Sequence, residues 1–450
     1  MRIGPATCFV ICAAGACGIA SGQATLEFIG DGIAVTDLSR DGRVIVGNTV
    51  SDEAYETWRW VQDDPAGWQR LGLATVPVLG TGAGSPDVSY DGTRVSATIL
   101  GGAGGESRTS PYATQGIWTN GLGWTELLPP LPPDCIFLDT GYASAWGLSG
   151  DGVSLTGFYW RDTQGGVLGL ARPCVSTIAG GPVGLAADLG ASARVNASNF
   201  DGTVVVGWEE APDGTWRPTA WRNGVKMLLT DTLALCSADG VNADGSVIVG
   251  TTYNLQAARV NPARWDWNGS EYVLTDLGVL PGTPQTWIAY VYANSVTDDG
   301  SMVVGANRFQ NNGPYSNVTG FVWTQEDGMR DIVDVVADHG LAFPEDFMVI
   351  DLQVSPDGSA IAGTGLNLAE LNFLHYRSFV FRFAPLPACA GDVNGDGAVN
   401  ALDFTIVAGN FGAGPGMARE AGDLTDDGFI NAADFTVLAG SFGCTDAMPN

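Results

Sequence analysis

The apolar pattern is set by Asp244-Gly245-Ser246-Val247-Ile248-Val249-Gly250. An Asp-Gly step suits a tight turn, because Gly accepts a positive φ and Asp can hydrogen-bond its own backbone. The β-branched run behind it predicts a strand buried on both faces. With Val241-Asn242-Ala243 ahead, the unit predicts strand, two-residue turn, strand. It occurs seven times, at Asp41-Gly42, Asp91-Gly92, Asp151-Gly152, Asp201-Gly202, Asp244-Gly245, Asp299-Gly300 and Asp357-Gly358. Successive turns lie 50, 60, 50, 43, 55 and 58 residues apart. That period fits four-stranded propeller blades and is too long for the shorter units of solenoids.

The rest of each unit recurs as well. A variable loop is followed by a short run ending in an aromatic: Trp60, Trp118, Trp160, Trp221, Trp265, Trp323 and Phe381. Second turns follow at Asn120-Gly121, Asn223-Gly224, Asn268-Gly269 and Asp327-Gly328, and an apolar strand such as Val273-Leu274-Thr275-Asp276-Leu277 closes the unit. Four antiparallel strands per unit make a blade. The seventh unit lacks its closing strand, running from Phe379–Phe383 into Pro385. Thr25-Leu26-Glu27-Phe28-Ile29-Gly30 matches that strand, so the N-terminus is expected to complete the last blade and remove an open edge.

The Ser-x-Asp-Gly-x-x-Val-x-Gly unit, with a Trp some way behind it, resembles the HAF-type extracellular repeat of secreted bacterial propeller-like proteins over about residues 25–384. The resemblance implies architecture and export rather than a reaction. It is not a sialidase-type Asp-box, because here Asp and Gly adjoin.

Composition agrees with many strands and tight turns: 63 Gly and 14 Trp, with Lys226 the only lysine. A formal charge of −29 repels phosphate backbones and anionic lipid, which excludes nucleic acid as a natural partner. Residues 1–24 read as a signal peptide: Arg2 is followed by an apolar stretch from Phe9 to Ala20 and by Gly22-Gln23-Ala24 as a cleavage site. Lipidation of Cys17 is the alternative, but Ala14-Gly15-Ala16 lacks the large aliphatic residue that such sites carry. No other segment is apolar and long enough to predict a transmembrane anchor, so a secreted, cell-surface or periplasmic protein is expected.

Five cysteines remain beyond the signal. Export permits disulfides, and the odd number leaves one thiol free or paired between chains. Cys389 and Cys444 bracket the C-terminal domain and are read as a disulfide, worth roughly 4 kcal/mol on the chain-entropy model. Cys135 with Cys174 is open as a second pair, leaving Cys236.

Catalytic signals are thin, and the catalytic residues are unknown from sequence. His339 and His375 are the only histidines, and neither sits beside a nucleophile or another ligand. No Gly-x-Ser-x-Gly elbow, phosphate loop or His-Glu-x-x-His motif is present. The turn aspartates read as hairpin caps and the regular aromatics as core. Trp68, Trp124, Trp208, Trp216, Trp267 and Trp287 fall outside the regular place and are the better ligand-facing candidates. Asn317-Val318-Thr319 is a glycosylation sequon without meaning in a bacterial context. Insertions around Pro129–Asp139 and Gly165–Asp188 form the default binding region on a propeller face.

Pro385-Leu386-Pro387-Ala388 reads as a stiff linker over 385–388. Beyond it, Asp392, Asn394, Asp396, Gly397, Ala398, Asn400 and Asp403 reproduce the spacing of an EF-hand calcium loop, with oxygen ligands at positions 1, 3, 5, 7, 9 and 12. The pattern recurs 31 residues later as Asp423, Thr425, Asp427, Gly428, Phe429, Asn431 and Asp434. Such alternating oxygens suit Ca2+ rather than Mg2+. Asp at position 12 and Thr425 at position 3 of the second loop predict modest affinity there, the second site being the weaker. One helix follows each loop, Ala401 to Phe411 and Ala432 to Phe442.

These duplicated loop-helix units over residues 389–444 resemble a type I dockerin domain, and Phe442-Gly443-Cys444 resembles the dockerin-like anchors of secreted planctomycete proteins. The resemblance implies two Ca2+ sites and a cohesin-like or cell-surface partner. Ala401-Leu402 and Ala432-Ala433 replace the Ser-Thr pair of many cellulosomal dockerins, so the partner's identity stays open. The sequence therefore predicts a mainly β chain, a seven-bladed β-propeller over 25–384 followed by a small α-helical, calcium-binding dockerin-like domain and a 445–450 tail. Its expected function is ligand or protein binding by the propeller, tethered through the dockerin. The alternative is a dockerin-borne, polysaccharide-degrading hydrolase or lyase.

Overall fold

The computed structural model describes residues 24–49, 55–75, 84–100, 112–127, 132–137, 141–161, 169–178, 180–230, 234–283, 288–310, 318–367, 376–383, 391, 393–394, 399–414, 417, 421–425 and 429–442. Residues 1–23, the linker, Cys389, Cys444, Asn317, Trp287 and His375 lie outside them. One compact unit spans Thr25–Arg382, and a second holds the residues from Phe383 onward.

The first unit is a seven-bladed β-propeller of four-stranded antiparallel blades. The inner strands of blades 1 to 7 are Ile33–Leu38, Asp87–Val88, Ala143–Leu148, Ala193–Ser198, Ala238–Val241, Ile288–Val296 and Phe347–Val354. Blade 7 takes its outermost strand from Thr25–Asp31, which pairs antiparallel with Arg377–Arg382. Phe28 packs edge-on to Phe347 at 5.2 Å in that blade.

Each Asp-Gly motif closes a four-residue turn rather than the two-residue one expected from sequence. In blade 5, Gly245 N donates to Asn242 O at 3.0 Å, and Asn242 N to Val247 O at 3.0 Å. Only the glycine is left-handed, with φ from +64° to +76° across the seven turns. The reason is side-chain capping. The Asp carboxylate accepts the backbone N–H two residues on, and the Ser, Asn or Thr two residues before it accepts the N–H that opens the next strand. In blade 1 these are Arg43 N to Asp41 at 3.0 Å and Val44 N to Ser39 at 2.9 Å. The other six turns repeat both bonds.

The glycine that ends each Val-x-Val-Gly run has a different cause. In blades 1, 3, 4, 5 and 6 the inner strand carries a β-bulge opposite it, at Thr36, Trp146, Asn196, Asp239 and Asn294. The bulge pushes an inner-strand carbonyl against the glycine. A Cβ on Gly207 would lie 2.0 Å from Arg194 O, and one on Gly305 2.0 Å from Tyr292 O. A bulge also re-aims its side chain.

The aromatic series holds one register in six blades. Trp60, Trp118, Trp221, Trp265, Trp323 and Phe381 lie on third strands opposite Ile45, Val95, Val205, Ile248, Val303 and Ile361. Trp160 does not. It sits near the end of the second strand of blade 3, Ser154–Arg161, and Ser176 takes the aromatic's place opposite Leu155. The segment expected as an insertion, Gly165–Asp188, accordingly supplies the third and fourth strands of that blade, Leu170–Thr177 and Gly181–Gly184. A short helix absent from the sequence expectation, Ile332–Asp338, follows blade 6, with Asp331 as N-cap accepting from Val333 N.

Cys135 and Cys174 are free thiols rather than a disulfide, as is Cys236. No helix among the described residues is long and apolar enough to cross a membrane.

The second unit contains helices Ala401–Gly409 and Ala432–Gly440, each ending two residues earlier than predicted, at C-caps Asn410 and Ser441. Val393, Val399, Val407, Leu424, Ile430 and Leu438 form its core.

Candidate functional site

Two places carry chemistry, the axis of the propeller and the loops of the C-terminal unit. At the axis, the residue between Ser/Asn/Thr and Asp in each turn motif contributes to a circle of hydrogen bonds. Arg40 N donates to Tyr90 O at 3.0 Å, Tyr90 N to Gly150 O at 2.8 Å, and Asp151 N to Phe200 O at 2.9 Å. Phe200 N continues to Ala243 O at 3.1 Å and Asn242 Nδ2 to Asp298 O at 2.9 Å. Asp298 N then meets Pro356 O at 2.7 Å, and Asp357 N returns to Arg40 O at 3.1 Å. Inside this circle Tyr90 Oη donates to Asp298 Oδ1 at 2.7 Å, and the Tyr90 ring packs 5.3 Å from Phe200. The turn end of the axis is thereby closed.

Behind the closure lies a cavity of about 280 Å³, bordered by Tyr90 and Pro356 at its base. All five bulged positions, Thr36, Trp146, Asn196, Asp239 and Asn294, line it, and three of their side chains stitch neighbouring blades. Thr36 Oγ1 donates to Pro86 O at 2.7 Å, Asn196 Nδ2 to Ala238 O at 3.0 Å, and Asn294 Nδ2 to Leu352 O at 3.3 Å. Asp37 and Asp87 share a hydrogen bond. Asp37 Oδ2 also accepts Val88 N at 2.9 Å, and Asp87 Oδ2 accepts Leu148 N at 2.7 Å. Burial and, for Asp37, the neighbouring Asp87 charge raise the pair above the usual carboxylate range, so it retains a proton where isolated carboxylates would not.

Higher on the wall the Arg194 guanidinium stacks 3.4 Å over the Trp146 ring, and its Nε donates to Asn196 Oδ1 at 2.7 Å. Burial lowers Arg194 to about 10, against the pull of Asp239. Burial likewise raises Asp239 to about 6, although Ser237, Arg194 and Asn196 favour its ionised form.

The irregular tryptophans are not part of this wall. Trp208 stacks on Trp216 at 4.1 Å, Trp124 Nε1 donates to Leu71 O at 2.8 Å, and Trp267 packs 4.9 Å from Tyr272. Trp68 packs against the core shared by blades 1 and 7. The tryptophan that borders the cavity is Trp146, which sequence reasoning missed. Its signal was available: Gly157 closes the run after it, as a bulge opposite requires. His339 caps the blade 6 helix and packs tilted against Phe381 at 5.4 Å, and it is not among the residues bordering the cavity.

In the C-terminal unit, both helices begin with the same device. Asn400 accepts from Leu402 N at 2.8 Å, and Asp403 Oδ2 accepts from Asn400 N at 2.8 Å, a reciprocal capping box. Asp403 Oδ1 also takes Val393 N at 2.9 Å and Asn394 N at 3.2 Å, which ties the loop to its helix. Asn431 and Asp434 repeat this, with Oδ1 on Leu424 N at 2.8 Å and Thr425 N at 3.0 Å. Burial opposes ionisation of Asp403 and Asp434, but the backbone N–H bonds outweigh it and hold both below the ordinary carboxylate range. Asp403, Asp423 and Asp434 are buried at 0%, 2% and 0% exposure. Residues 389–444 contain eight carboxylates, one arginine and no lysine, so the buried negative charge calls for a cation from outside the chain. Among the expected ligands Asn394, Asn400, Asp403, Asp423, Thr425, Phe429, Asn431 and Asp434 are described; Asp392, Asp396, Ala398 and Asp427 lie outside the described residues.

No curated protein matches the chain. Among solved structures it is similar to the oligogalacturonate lyase of Vibrio parahaemolyticus, at 12% identity over 81% of this chain and 98% of that one, TM-score 0.49. It is also similar to the β-propeller domain of the Trilobed protease of Pyrococcus furiosus, at 11% identity over 79% and 96%, TM-score 0.45. Neither likeness carries an activity to this chain. The C-terminal unit is different: residues 390–442 match the dockerin type I domain, a class that normally binds calcium and docks onto cohesins, and the chain therefore carries a dockerin C-terminal to its propeller.

Proposed function

We propose that this is an exported binding protein, whose dockerin attaches it through Ca2+ to a cohesin-like or cell-surface partner while the propeller presents a ligand site. The observation that carries the reading is the duplicated loop-helix unit, in which Asp403 and Asp434 are buried without a matching basic side chain in the sequence of the module. The signal over 1–24, the linker over 385–388, the propeller over 25–384, the module over 389–444 and the Cys389–Cys444 bridge belong to the same proposal. So does the likeness of the repeat to HAF-type secreted proteins.

Two calcium ions would be held by Asp392, Asn394, Asp396, Asn400, Asp403 and the Ala398 carbonyl, and by Asp423, Thr425, Asp427, Asn431, Asp434 and the Phe429 carbonyl. A carboxylate offers about four acceptor positions, and the three N–H groups on Asp403 leave it capacity for a cation. These donors are hard oxygens, as Ca2+ requires.

The competing reading, a polysaccharide hydrolase or lyase, fits the axis poorly. Glycosidase carboxyls stand roughly 5–10 Å apart to admit the scissile bond, whereas Asp37 and Asp87 hydrogen-bond to each other. The test uses the full chain. Recombinant cohesins are expected to retain it with calcium and release it with chelator, and chelation is expected to unfold residues 389–444 while the propeller stays folded. Chelator-insensitive folding of the module would refute the ligand assignment. In parallel, a polysaccharide panel is scored for retention and for release of reducing ends; the latter would replace binding by catalysis.

A further inference from the structure

The cavity exists because the seven inner strands differ at one register position. That position is the one opposite Val46, Ser96, Thr156, Val206, Val249, Val304 and Ala362, which immediately precede the glycine, or Ala97 in blade 2, that ends each second-strand run. Blades 3, 4 and 5 place Gly147, Ala197 and Gly240 there, leaving one side of the axis bare. Blades 6, 7, 1 and 2 place Ser295, Gln353, Asp37 and Asp87 there, making the facing arc polar. Asp37 and Asp87 are tied to backbone N–H groups and to each other, and Ser295 Oγ donates to Val354 O at 3.2 Å. The Gln353 side chain borders the same cavity, is only half-buried, and has no hydrogen-bond partner among the described residues.

We propose that this half-lined cavity is a blind pocket for one neutral sugar unit at the end of a chain, held by Gln353 and the Asp37/Asp87 pair. The proposal rests on the reading of the propeller as a ligand-binding body. Three arguments fix the chemistry. The carboxyl oxygens of Asp37 and Asp87 offer acceptors, and the primary amide of Gln353 offers a donor beside an acceptor, so together they match adjacent hydroxyls. Charge selects neutrality. Arg194 is already matched to Asp239 and Asn196, so an anion would meet the Asp37/Asp87 carboxyls with no free cation beside them, whereas a neutral hydroxylated ring needs no counter-charge. Size and access select a chain end. A volume of about 280 Å³ holds about nine water molecules at roughly 30 Å³ each, the bulk of one ring with its hydroxyls. Because Tyr90 and Asp298 close the turn end, a polymer cannot thread through.

Calorimetry on the calcium-loaded full chain tests this with free glucose, galactose and xylose, with galacturonate and glucosamine as charged counterparts, and with the polysaccharides retained in the panel above. At least one neutral sugar is expected to bind tenfold or more tightly than its charged counterpart. Gln353→Leu is expected to weaken it tenfold or more with an unchanged melting curve. Ala197→Leu, which fills the bare side, is expected to abolish it. A free sugar that displaces retained polysaccharide identifies the chain end as the source; a free sugar that binds without displacing it identifies the monosaccharide itself and overturns the chain-end assignment. Absence of neutral-sugar binding, equal binding of the charged sugars, or wild-type affinity in folded Gln353→Leu overturns the pocket. Polysaccharide retention that is unchanged in both variants overturns it too, while leaving the binding-platform reading intact.

Discussion

Tyr90 of blade 2 and Asp298 of blade 6 meet across the propeller axis, Oη to Oδ1 at 2.7 Å, although 208 residues separate them in sequence. Arg40 Nε reaches the other carboxylate oxygen at 3.3 Å, so three blades converge on one side chain. A closed ring depends on every blade being present, and this contact joins blades that share no strand pairing.

Tyr90→Phe removes the hydroxyl and keeps the ring against Phe200. Hydrogen bonds to charged groups contribute roughly 1.5–3 kcal/mol, and the lower part of that range is expected here because Arg40 continues to partner Asp298. Chemical denaturation of the wild type, Tyr90→Phe, Asp298→Asn and the double variant gives the coupling. Additive losses would mean that the two side chains do not interact in solution.

Removing residues 25–31 strips the outer strand from blade 7. Ile29 is buried, Arg377 pairs with Asp31 at 3.1 Å and lies 4.4 Å over the Phe28 ring, and Arg377–Arg382 would become an open edge. Loss of two apolar side chains alone is worth about 3–6 kcal/mol. A large drop in the melting temperature of the whole propeller is expected, with concentration-dependent association. Melting indistinguishable from the intact chain would show that the strand does not close the ring.

Gly207→Ala places a Cβ 2.0 Å from Arg194 O, at the carbonyl that the Asn196 bulge presses outward. Backbone cannot yield as a side-chain tip can, so a cost of about 1–3 kcal/mol is expected. Gly67→Ala is the comparison, because its Cβ meets nothing within 4 Å and only its φ of +60° opposes it. Equal melting shifts for the two would argue against the packed bulge.

How far the sequence could be read follows from the range over which each feature is specified. The Asp-Gly turn is local: Ser39, Asp41 and Gly42 satisfy one another within a few residues, so seven copies could be counted. The dockerin was legible for the same reason, since Asn400 and Asp403 build their cap within one turn. The third-strand aromatic was not local enough. Trp160 has a fitting distance from its turn but belongs to the second strand, and only pairing with Ala171 reveals this. That single slip made half of blade 3 look like an inserted loop. The axis was least legible. Gln353, Asp37 and Asp87 border one cavity only because a shared register is repeated around the ring, although the glycine closing the second-strand run marked the bulges of blades 1, 3, 4, 5 and 6. The helix Ile332–Asp338 had a readable start in Asp331 and a stop in Gly340, but interrupts a repeat that otherwise reads as strand and turn.

Asp239 provides a pH dependence of definite sign. Its carboxyl lies at about 6 in the folded chain, raised mainly by burial, against 3.8 for the free group. Folded protein therefore binds more protons than unfolded protein between those values. The contribution is complete below about pH 4 and is lost as pH rises through about 6, and it amounts to the order of 3 kcal/mol. Asp37 and Asp87 act in the same direction, whereas Asp91, Asp201, Asp244 and Asp299, held low by their turns, act in the opposite one. The net slope thus mixes signs, and the informative quantity is a difference. Asp239→Asn cannot ionise, so relative to wild type it should gain stability at pH 7.5 compared with pH 4.5, read as the change in unfolding free energy of the propeller at the two pH values. Arg194 then loses its charge partner, which lowers the variant's stability at pH 7.5 and sets an upper limit on the gain. A variant whose stability difference from wild type is the same at both pH values would show that Asp239 titrates normally in the folded propeller.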